Sequence, residues 1–571
     1  MYISDYSRRT KAAFLIFFIL FSLALARLLY IQFFRSQYLR EIARKQHNCF
    51  VELEPRRGPI YDTNMKPQAV NLACDSVYAA PKELSSAEKE KIISSLAPAL
   101  NIGSGSLRNK LSRPKSFIWI ARKITPQQSE ALRAMNLKGV GMVKESKRCY
   151  PNGYLSSQIV GFAGLDNNGQ EGLELYYDKY LKGSAGWAFL LRDARSKKIN
   201  LYDKMASPKE GDSLVLTIDE VIQFIAEREL EKVYQSSRAR GASIIVMDPN
   251  TGEILAMASR PTFDLNQHGG VSKDQIRNRS VCDMFEPGSV FKIVTASAAI
   301  QENKIREQDK VFCENGEYKI AGHTLHDHTS HGWLTFQEVI EQSSNIGTCK
   351  VAAILGPEKL WHYVRLFGFG AKSGIDMPGE ISGQVRDLRY WSKSSMGAVP
   401  MGQEVGVTAV QLGAAISAIA NGGNLMKPYI VKEIRDSSGE VIQMTSPVVV
   451  RKVLTPESAA RVKKILIGVV ENGTGKMAKI QDFTAAGKTG TGQKLEPNGT
   501  YSHSKFMASF IGFAPAEDPQ IAIVVTVDEP RGSYYGGTVS APVFKNVAAD
   551  VLKYLKTKPS PAEVVVTNDA F

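Results

Sequence analysis

The chain has 571 residues, 43% of them apolar and 22% charged, a composition typical of a folded globular protein. This length exceeds the size at which one hydrophobic core usually stops growing, so we expect two or more domains. The 71 Lys and Arg residues outnumber the 57 Asp and Glu residues and give a net charge of +14, which suits either an anionic partner or a solvated basic face. The basic residues are scattered and form no tract typical of nucleic-acid binding.

An apolar segment lies close to the start of the chain. Residues 12–26 carry no charge, and the apolar run resumes after Arg27. At about 1.5 Å per residue, a helix over residues 12–34 would cross the roughly 30 Å hydrocarbon core of a membrane. Three cationic residues precede it, so the positive-inside rule predicts a cytoplasmic tail over 1–11, an anchor over 12–34 and export of the rest.

The same segment has a second interpretation. Ala24-Leu25-Ala26 is an A-x-A pattern, at which a signal peptidase could cut before Arg27. The apolar run continues past Ala26, which favours the uncleaved anchor. We therefore predict a single-pass protein of the inner (cytoplasmic) membrane whose bulk lies on the periplasmic, extracytoplasmic side.

Beyond the anchor, short β-rich and helical pieces continue to about residue 235 without a catalytic constellation. The pattern over 221–234 places apolar residues on one helical face and indicates the lead-in to a new domain. We predict a first domain over 35–235, a second over 236–556 and a flexible tail over 557–571.

The second domain begins and ends with strand patterns. Apolar runs at 242–247 and 253–257 are joined by a turn-rich sequence, and the runs 506–513 and 521–527 repeat this arrangement. A largely helical insertion lies between the two pairs, and a helix over 543–555 would cover the sheet. The pattern predicts an α+β fold with one antiparallel sheet closed by distant segments.

The insertion carries an S-x-x-K motif at Ser289 and Lys292. The same pattern occurs at Ser86, Ser112 and Ser502, so it is weak alone. Ser289 differs because it follows Glu286-Pro287-Gly288, a helix-entry sequence, and precedes an apolar run that would bury the helix. Residues three apart share a helical face, so the Lys292 nitrogen can reach the Ser289 oxygen.

A serine hydroxyl needs a base to become a good nucleophile, and Lys292 must be neutral to serve as that base. At a pKa of about 10.4, keeping a lysine neutral at pH 7 would cost about 4.6 kcal/mol. Burial, and repulsion from Lys488 if it lies alongside, would lower the pKa of Lys292.

Two further motifs follow along the chain. Ser343 could relay a proton to a leaving amine, and Asn345 can donate to and accept from a substrate amide. In the third motif, Lys488-Thr489-Gly490, the glycine allows close backbone approach where an edge strand pairs with an extended peptide. Lys488 and Thr489 would then bind a carboxylate. Together the three motifs predict acyl transfer.

S-x-x-K, S-x-N and K-T-G in this order are the signature of penicillin-binding proteins and class A β-lactamases. Over nearly its whole length the chain resembles class B penicillin-binding proteins of the division-specific, FtsI type. Further matching segments are Arg57-Gly58-Pro59-Ile60-Tyr61-Asp62, Arg148-Cys149-Tyr150-Pro151, Gly172-Leu173-Glu174, Leu216-Thr217-Ile218-Asp219 and Tyr534-Tyr535-Gly536-Gly537.

The resemblance implies a transmembrane helix, a β-rich pedestal domain of the dimerisation type, and a transpeptidase domain of antiparallel sheet, flanking helices and a helical subdomain. It implies D,D-transpeptidation of peptidoglycan stem peptides during septum formation, and β-lactam acylation at Ser289. The backbone of Ser289 and Thr491 would form the oxyanion hole. No cofactor or metal is implied. Glycan polymerisation would come from a SEDS-type polymerase, one of several divisome membrane partners.

Two segments depart from the family pattern. The family's Asp-Arg-Asn-Gly is Asp62-Thr63-Asn64-Met65 here, which leaves the pedestal contacts at this point open. The usual Gly-Thr-Ala is Gly490-Thr491-Gly492, which should make the strand more flexible and leave the oxyanion hole intact.

Related functions share the first half of this chemistry. A D,D-carboxypeptidase would use water as acceptor, and an elongation-type transpeptidase would differ only in cellular role. A serine β-lactamase would not need a pedestal. A β-lactam sensor would need a cytoplasmic signalling portion, and a catalytically silent divisome scaffold would not need the intact motifs.

His323, His326, Asp327, His328 and His331 fall within nine residues and could suit zinc, but we expect a solvated loop above the cleft, because the proposed chemistry needs no metal. The six cysteines include no C-x-x-C pair, and the sequence does not choose among their fifteen disulfide connectivities.

Overall fold

The computed structural model describes residues 3–39, 48–115, 117–192, 198–496 and 498–560. The chain divides into one unit of residues 1–55 and 183–210 and another of residues 56–182 and 211–571. The smaller unit contains the helix Ile3–Phe34 and an antiparallel sheet ordered Asn48–Leu53, Gly186–Arg192, Lys198–Ala206. The part of the helix over Ser7–Phe34 is long and apolar enough to cross a membrane, and it includes the predicted anchor segment.

A five-stranded antiparallel sheet forms the centre of the larger unit. Its strands lie in the order Ile254–Arg260, Gly241–Met247, Ile521–Asp528, Tyr501–Ala514, Ala486–Leu495. The four strand segments predicted from the sequence are all in this sheet. The fifth strand, Ala486–Leu495, carries the K-T-G motif and lies at the edge, so one side of its backbone is open to an added peptide.

Helices cover both faces of this sheet, which is why every residue of Gly241–Met247 and Ile521–Asp528 is buried. Glu220–Ser236 and Ala541–Tyr554 share a hydrophobic core with one face, and Ala409–Ala420 packs against the other. The helix Glu220–Ser236, predicted as a lead-in segment, is therefore part of the core of this five-stranded sheet, the candidate catalytic sheet. It begins at Asp219, whose carboxylate accepts hydrogen bonds from the N–H groups of Val221 and Ile222.

A second, mixed sheet joins distant parts of the sequence. Six of its strands are ordered Val441–Met444, Val431–Arg435, Ser213–Leu216, Ile60–Tyr61, Pro67–Ala79, Ile118–Ile124, and Val140–Cys149 pairs with Pro67–Ala79. Ile60–Tyr61 runs parallel to Ser213–Leu216, and the other pairs are antiparallel. Strands from both sides of residue 235 thus share one sheet, and the division at 235 remains a sequence prediction.

Three family-like segments meet at a buried ion cluster. Glu174 is fully buried and accepts from the guanidinium groups of Arg57 (2.5 Å) and Arg148 (2.6 Å) and from the Tyr150 hydroxyl (3.3 Å). A second carboxylate, Asp178, pairs with Arg57 at 2.6 Å. These motif residues are therefore structural anchors of the region before the catalytic sheet.

The departing segment Asp62-Thr63-Asn64-Met65 forms a tight turn. Met65 has a φ of 61°, in the left-handed region that favours glycine. Asp62 accepts from the N–H groups of Asn64 and Lys66, and the Asn64 amide donates to Asp219 at 2.8 Å. The turn thus contacts the start of the helix Glu220–Ser236 without the family's glycine.

The remaining elements surround these sheets. Helices of six or more residues are Ser86–Leu100, Ser104–Leu111, Pro126–Met135, Lys292–Gln301, Phe336–Glu341, Asn345–Leu355, Pro357–Leu366 and Pro456–Glu471. Shorter helices are Ser157–Val160, Gly172–Tyr176, Asp178–Leu181, Lys273–Ile276, Arg279–Cys282, Ser395–Ala398 and Gly536–Val539. Short strand pairs are Lys310–Phe312 with Trp333–Thr335, Glu317–Ile320 with His323–His326, Gln384–Val385 with Val405–Gly406, and Asn424–Met426 with Val449–Lys452.

The sequence left two features to be examined, the disulfide pairing of the cysteines and the tail predicted over 557–571. Cys74, Cys149, Cys282, Cys313 and Cys349 are free thiols. The predicted tail falls mostly outside the described residues, which end at 560.

Candidate active site

Ser289, the predicted nucleophile, lies in a short segment that turns into a helix. Gly288–Phe291 is a 3-10 turn that continues as the helix Lys292–Gln301, and side chains three residues apart eclipse in such a turn. Gly288 has a φ of 58°, and a Cβ there would lie 2.8 Å from the carbonyl oxygen of Thr491. The segment therefore packs directly against the candidate catalytic strand, Ala486–Leu495, and Ser289 is partly accessible.

Lys292 is fully buried, and its amine contacts the second motif. Its Nζ donates to the Ser343 carbonyl (2.6 Å), to Asn345 Oδ1 (2.8 Å) and to Ser343 Oγ (3.3 Å). Burial lowers the pKa of Lys292 to about 7, while the Asp327 carboxylate opposes that shift. A neutral amine is therefore accessible near neutral pH, as a general base requires.

Lys488, on the catalytic strand, contacts Ser343, the serine that Lys292 also contacts. It is also fully buried, and its Nζ donates to Ser343 Oγ at 2.9 Å and to the Thr489 carbonyl at 3.3 Å. Burial lowers the pKa of Lys488 well below its usual value, and the charge of Lys292 lowers it further. The three motifs thus meet at the Ser343 hydroxyl, which lies between the two lysine nitrogens.

Adjacent residues of the second motif have different structural roles. Ser344 caps the helix Asn345–Leu355, its Oγ accepting from the N–H of Gly347 at 2.9 Å. Ser343 has a φ of 59°, an uncommon backbone conformation for a residue other than glycine. The helix cap and the lysine contacts are therefore supplied by adjacent residues.

The catalytic strand is held against its surroundings by close backbone approach. A Cβ at Gly490 would clash with Ser509 Oγ and would lie 2.7 Å from Val290 Cγ1. The backbone N–H of Gly536, in the Tyr534-Tyr535-Gly536-Gly537 segment, donates to Thr491 Oγ1 at 3.2 Å. Thr489 Oγ1 lies 2.7 Å from Thr474 Oγ1.

Asp327 is the site residue that sequence reasoning missed. Its carboxylate accepts from the backbone N–H groups of Asn345 (2.5 Å) and Ile346 (3.0 Å) and from Ser344 Oγ (2.6 Å). It therefore fixes the start of the helix that carries the second motif. The only sequence signal was its position in the histidine-rich segment, which pointed to a metal or a loop instead.

Two of the histidines around Asp327 contact other residues of the candidate site. The His326 carbonyl accepts from the Asn345 amide at 2.9 Å, and the His328 ring lies 5.0 Å from the Tyr535 ring. Within the described residues, no group of three or more His, Cys, Asp or Glu side chains is arranged to hold a metal ion.

Two families of known protein domains match this chain. Residues 242–549 match the penicillin binding protein transpeptidase domain, and residues 52–216 match the penicillin-binding protein dimerisation domain. The chain is 36% identical to stage V sporulation protein D of Bacillus subtilis, over 99% of this chain and 88% of that protein. It is 32% identical to peptidoglycan D,D-transpeptidase FtsI of Escherichia coli, over 89% of this chain and 85% of that protein.

The chain is also similar to a solved structure. The crystal structure of penicillin binding protein 3 from Mycobacterium tuberculosis, complexed with aztreonam, has a TM-score of 0.71 and 28% identity, over 90% of this chain and 98% of that chain. The chain therefore belongs to the penicillin-binding proteins that combine a dimerisation domain with a transpeptidase domain. Within that family it is a class B penicillin-binding protein of the D,D-transpeptidase group, as the sequence motifs and the predicted fold class indicated.

Proposed function

We propose that this protein crosslinks peptidoglycan stem peptides through an acyl-enzyme at Ser289, and that β-lactams acylate the same residue. The observation that carries this proposal is the bridge of Lys292, Ser343 and Lys488, in which two buried nitrogens contact one hydroxyl oxygen at 3.3 and 2.9 Å. Such a bridge can move protons at both ends of an acyl transfer.

In the acylation half-reaction, neutral Lys292 takes the proton of Ser289 Oγ, which attacks the carbonyl carbon of the penultimate D-Ala in a donor stem. Backbone N–H groups of Ser289 and Thr491 stabilise the oxyanion. Asn345 uses its second amide hydrogen for the substrate amide, while Lys488, Thr489 and Gly490 hold the terminal carboxylate and the extended backbone.

The tetrahedral intermediate collapses when Ser343 gives its proton to the leaving D-Ala amine, and the lysines restore that proton. The amine of an acceptor stem then attacks the ester, and Ser289 regains its proton as the crosslink forms. Atoms balance because one amide bond is exchanged for another and D-Ala is released.

The test is labelling with a fluorescent penicillin, comparing the wild type with Ser289→Ala and following the lifetime of the adduct. We expect a long-lived adduct on the wild type and none on the variant. Absence of labelling on the wild type would contradict the proposal and favour a silent scaffold. Rapid turnover of the adduct would indicate a β-lactamase.

We further propose a role in septum formation on the outer side of the membrane, with a SEDS-type polymerase as partner. The similarity to the E. coli FtsI supports this role, while the similarity to a sporulation protein keeps other wall-synthesis programmes as alternatives. Depletion should give filaments with unfinished septa. Rounded cells with normal septa would instead indicate an elongation role.

A further inference from the structure

A cavity of about 770 Å³ opens beside the catalytic strand. Its wall includes Gln493, Lys494 and Leu495, where the strand continues past the third motif, and the segment from Cys282 to Glu286, which leads to the nucleophile. Pairing with the neighbouring strand shifts register between Gln493 and Leu495, so the strand bulges at the cavity.

The proposed binding mode directs one part of the donor stem toward this cavity. The terminal carboxylate lies at Lys488 and Thr489, and the reacting carbonyl lies at Thr491, so the stem runs along the strand with its earlier residues toward Gln493. Each residue of an extended chain advances about 3.3 Å. The residue before D-Ala-D-Ala is therefore the one whose side chain meets the cavity.

The wall of the cavity carries charged side chains of both signs. Among the described residues, its five cationic side chains are all paired with carboxylates: Arg240, Arg277, Arg279, Arg386 and Lys494. Glu286, by contrast, forms no ion pair with any residue in the described ranges. A buried carboxylate without a cation is costly, so it is a ready partner for a positively charged group.

The hydrogen bonds of Glu286 leave its carboxylate able to bind a cation. Its Oε1 accepts from the N–H of Glu404 at 2.9 Å and, weakly, from the Tyr501 hydroxyl at 3.4 Å. Its Oε2 is buried and accepts no hydrogen bond within the described part of the chain. Burial raises the pKa of Glu286, and the Glu404 carboxylate adds to that shift. An ammonium that displaces the weak Tyr501 contact would stabilise the charged form of the Glu286 carboxylate.

We propose that this cavity binds the amine-bearing side chain of the residue that precedes D-Ala-D-Ala in the donor stem, with Glu286 as the partner of its ammonium. The inference rests on the proposed transpeptidase function and adds a determinant of substrate specificity. Glu286 then selects stems whose third residue carries a free amine.

Competition against fluorescent penicillin tests this proposal on the full-length protein. The probes are Nα-acetyl-L-Lys-D-Ala-D-Ala with a free side-chain amine, the same peptide with that amine acetylated, and the same peptide with that amine succinylated. In the wild type, we expect the free amine to protect Ser289 at about a tenfold lower concentration than the acetylated peptide, which corresponds to about 1.4 kcal/mol. The anionic, succinylated peptide should protect least.

Glu286→Gln should bring the free-amine and acetylated peptides to equal protection, because its side chain is neutral. Glu440→Gln, the same change at an exposed site, should keep the wild-type ratio. The ratio compares two peptides on one variant, so a general loss of activity cancels. Equal protection by all three peptides on the wild type, no protection by any of them, or a ratio that survives Glu286→Gln would overturn the inference. Absence of penicillin labelling on the wild type would instead overturn the proposed function.

Discussion

At the scale of single residues, the Ser343 hydroxyl is the junction of the site. Both lysine nitrogens lie within hydrogen-bond distance of its oxygen, so its own hydrogen is free to point toward a leaving group. Its φ of 59° stores roughly 1 kcal/mol of strain, which the surrounding contacts must offset. Strain kept at this position is consistent with a role in the chemistry.

Replacing this hydroxyl should separate catalysis from folding. In Ser343→Ala, the Lys292 nitrogen keeps the Ser343 carbonyl and Asn345 as acceptors, but the bridge to Lys488 is lost. We expect the second-order rate of penicillin acylation to fall about 100-fold, the lower range for loss of a proton-transfer group. The thermal midpoint should change little. An acylation rate within a factor of three of the wild type would exclude the relay.

Asp327 should control the pH dependence of the site. Asp327→Asn keeps the size of the side chain and one acceptor for the helix start, but removes the negative charge that raises the pKa of Lys292. The apparent pKa of acylation should therefore fall, and the acid limb of the rate profile should move to lower pH. An apparent pKa that is unchanged or higher in this variant would show that the carboxylate does not act on Lys292.

The sequence identified the lysines and serines because motif order and helix-entry context are local signals. Asp327 could not be recognised in the same way, since its bonds to Ser344 and Asn345 depend on how an insertion folds back over the helix start. The sequence predicted that Lys488 would lower the pKa of Lys292, but burial is what lowers it, and the charge of Lys292 acts instead on the pKa of Lys488. The opposing effect of Asp327 on the pKa of Lys292 was not expected.

At the scale of elements, the site depends on how closely the catalytic strand approaches the nucleophile segment. Gly490→Ala would place a methyl group against Ser509 and Val290, both of which lie in packed surroundings. We expect a loss of about 1–3 kcal/mol in the free energy of unfolding, as for other overpacked positions, with slower acylation.

A matched control is Gly105→Ala, in the helix Ser104–Leu111, where a Cβ would meet no atom within 4 Å. This change should be neutral or should stabilise the protein by about 0.5–1 kcal/mol. Denaturant unfolding measures both variants. Equal effects at the two glycines would show that close strand approach is not required.

The strands at both ends of the catalytic domain could be predicted from apolar runs bounded by turn residues. The 3-10 form of Gly288–Phe291 was not, because it arises from packing against Gly402 and Thr491. The mixed sheet was also missed, since Val431–Arg435 pairs with Ser213–Leu216 across more than two hundred residues. Pairing at that separation leaves no local periodicity to detect.

At the scale of the whole molecule, the larger unit joins residues 56–182 to the catalytic sheet. Ile60, Tyr150 and Leu173 belong to the same hydrophobic cluster as Val290, next to the nucleophile. A substitution that destabilises residues 56–182 should therefore also destabilise the active site.

Glu174→Gln tests this coupling. The change leaves Arg57 and Arg148 buried without their full counter-charge, so we expect a loss of about 3–5 kcal/mol. Thermal loss of penicillin labelling and of the folded fluorescence signal should occur together and at a lower temperature than in the wild type. Early unfolding that leaves labelling intact would show that the two regions are independent.

The central claim is that Ser289 reacts because Lys292 is neutral near physiological pH, and the most direct test is the pH dependence of acylation by a fluorescent penicillin, with the modified residue identified by mass spectrometry. With the pKa of Lys292 at about 7, the second-order rate should rise about tenfold per pH unit below pH 7 and level off above it, with the label on Ser289. A rate that does not change between pH 5.5 and pH 8, or a label on another residue, would contradict the account.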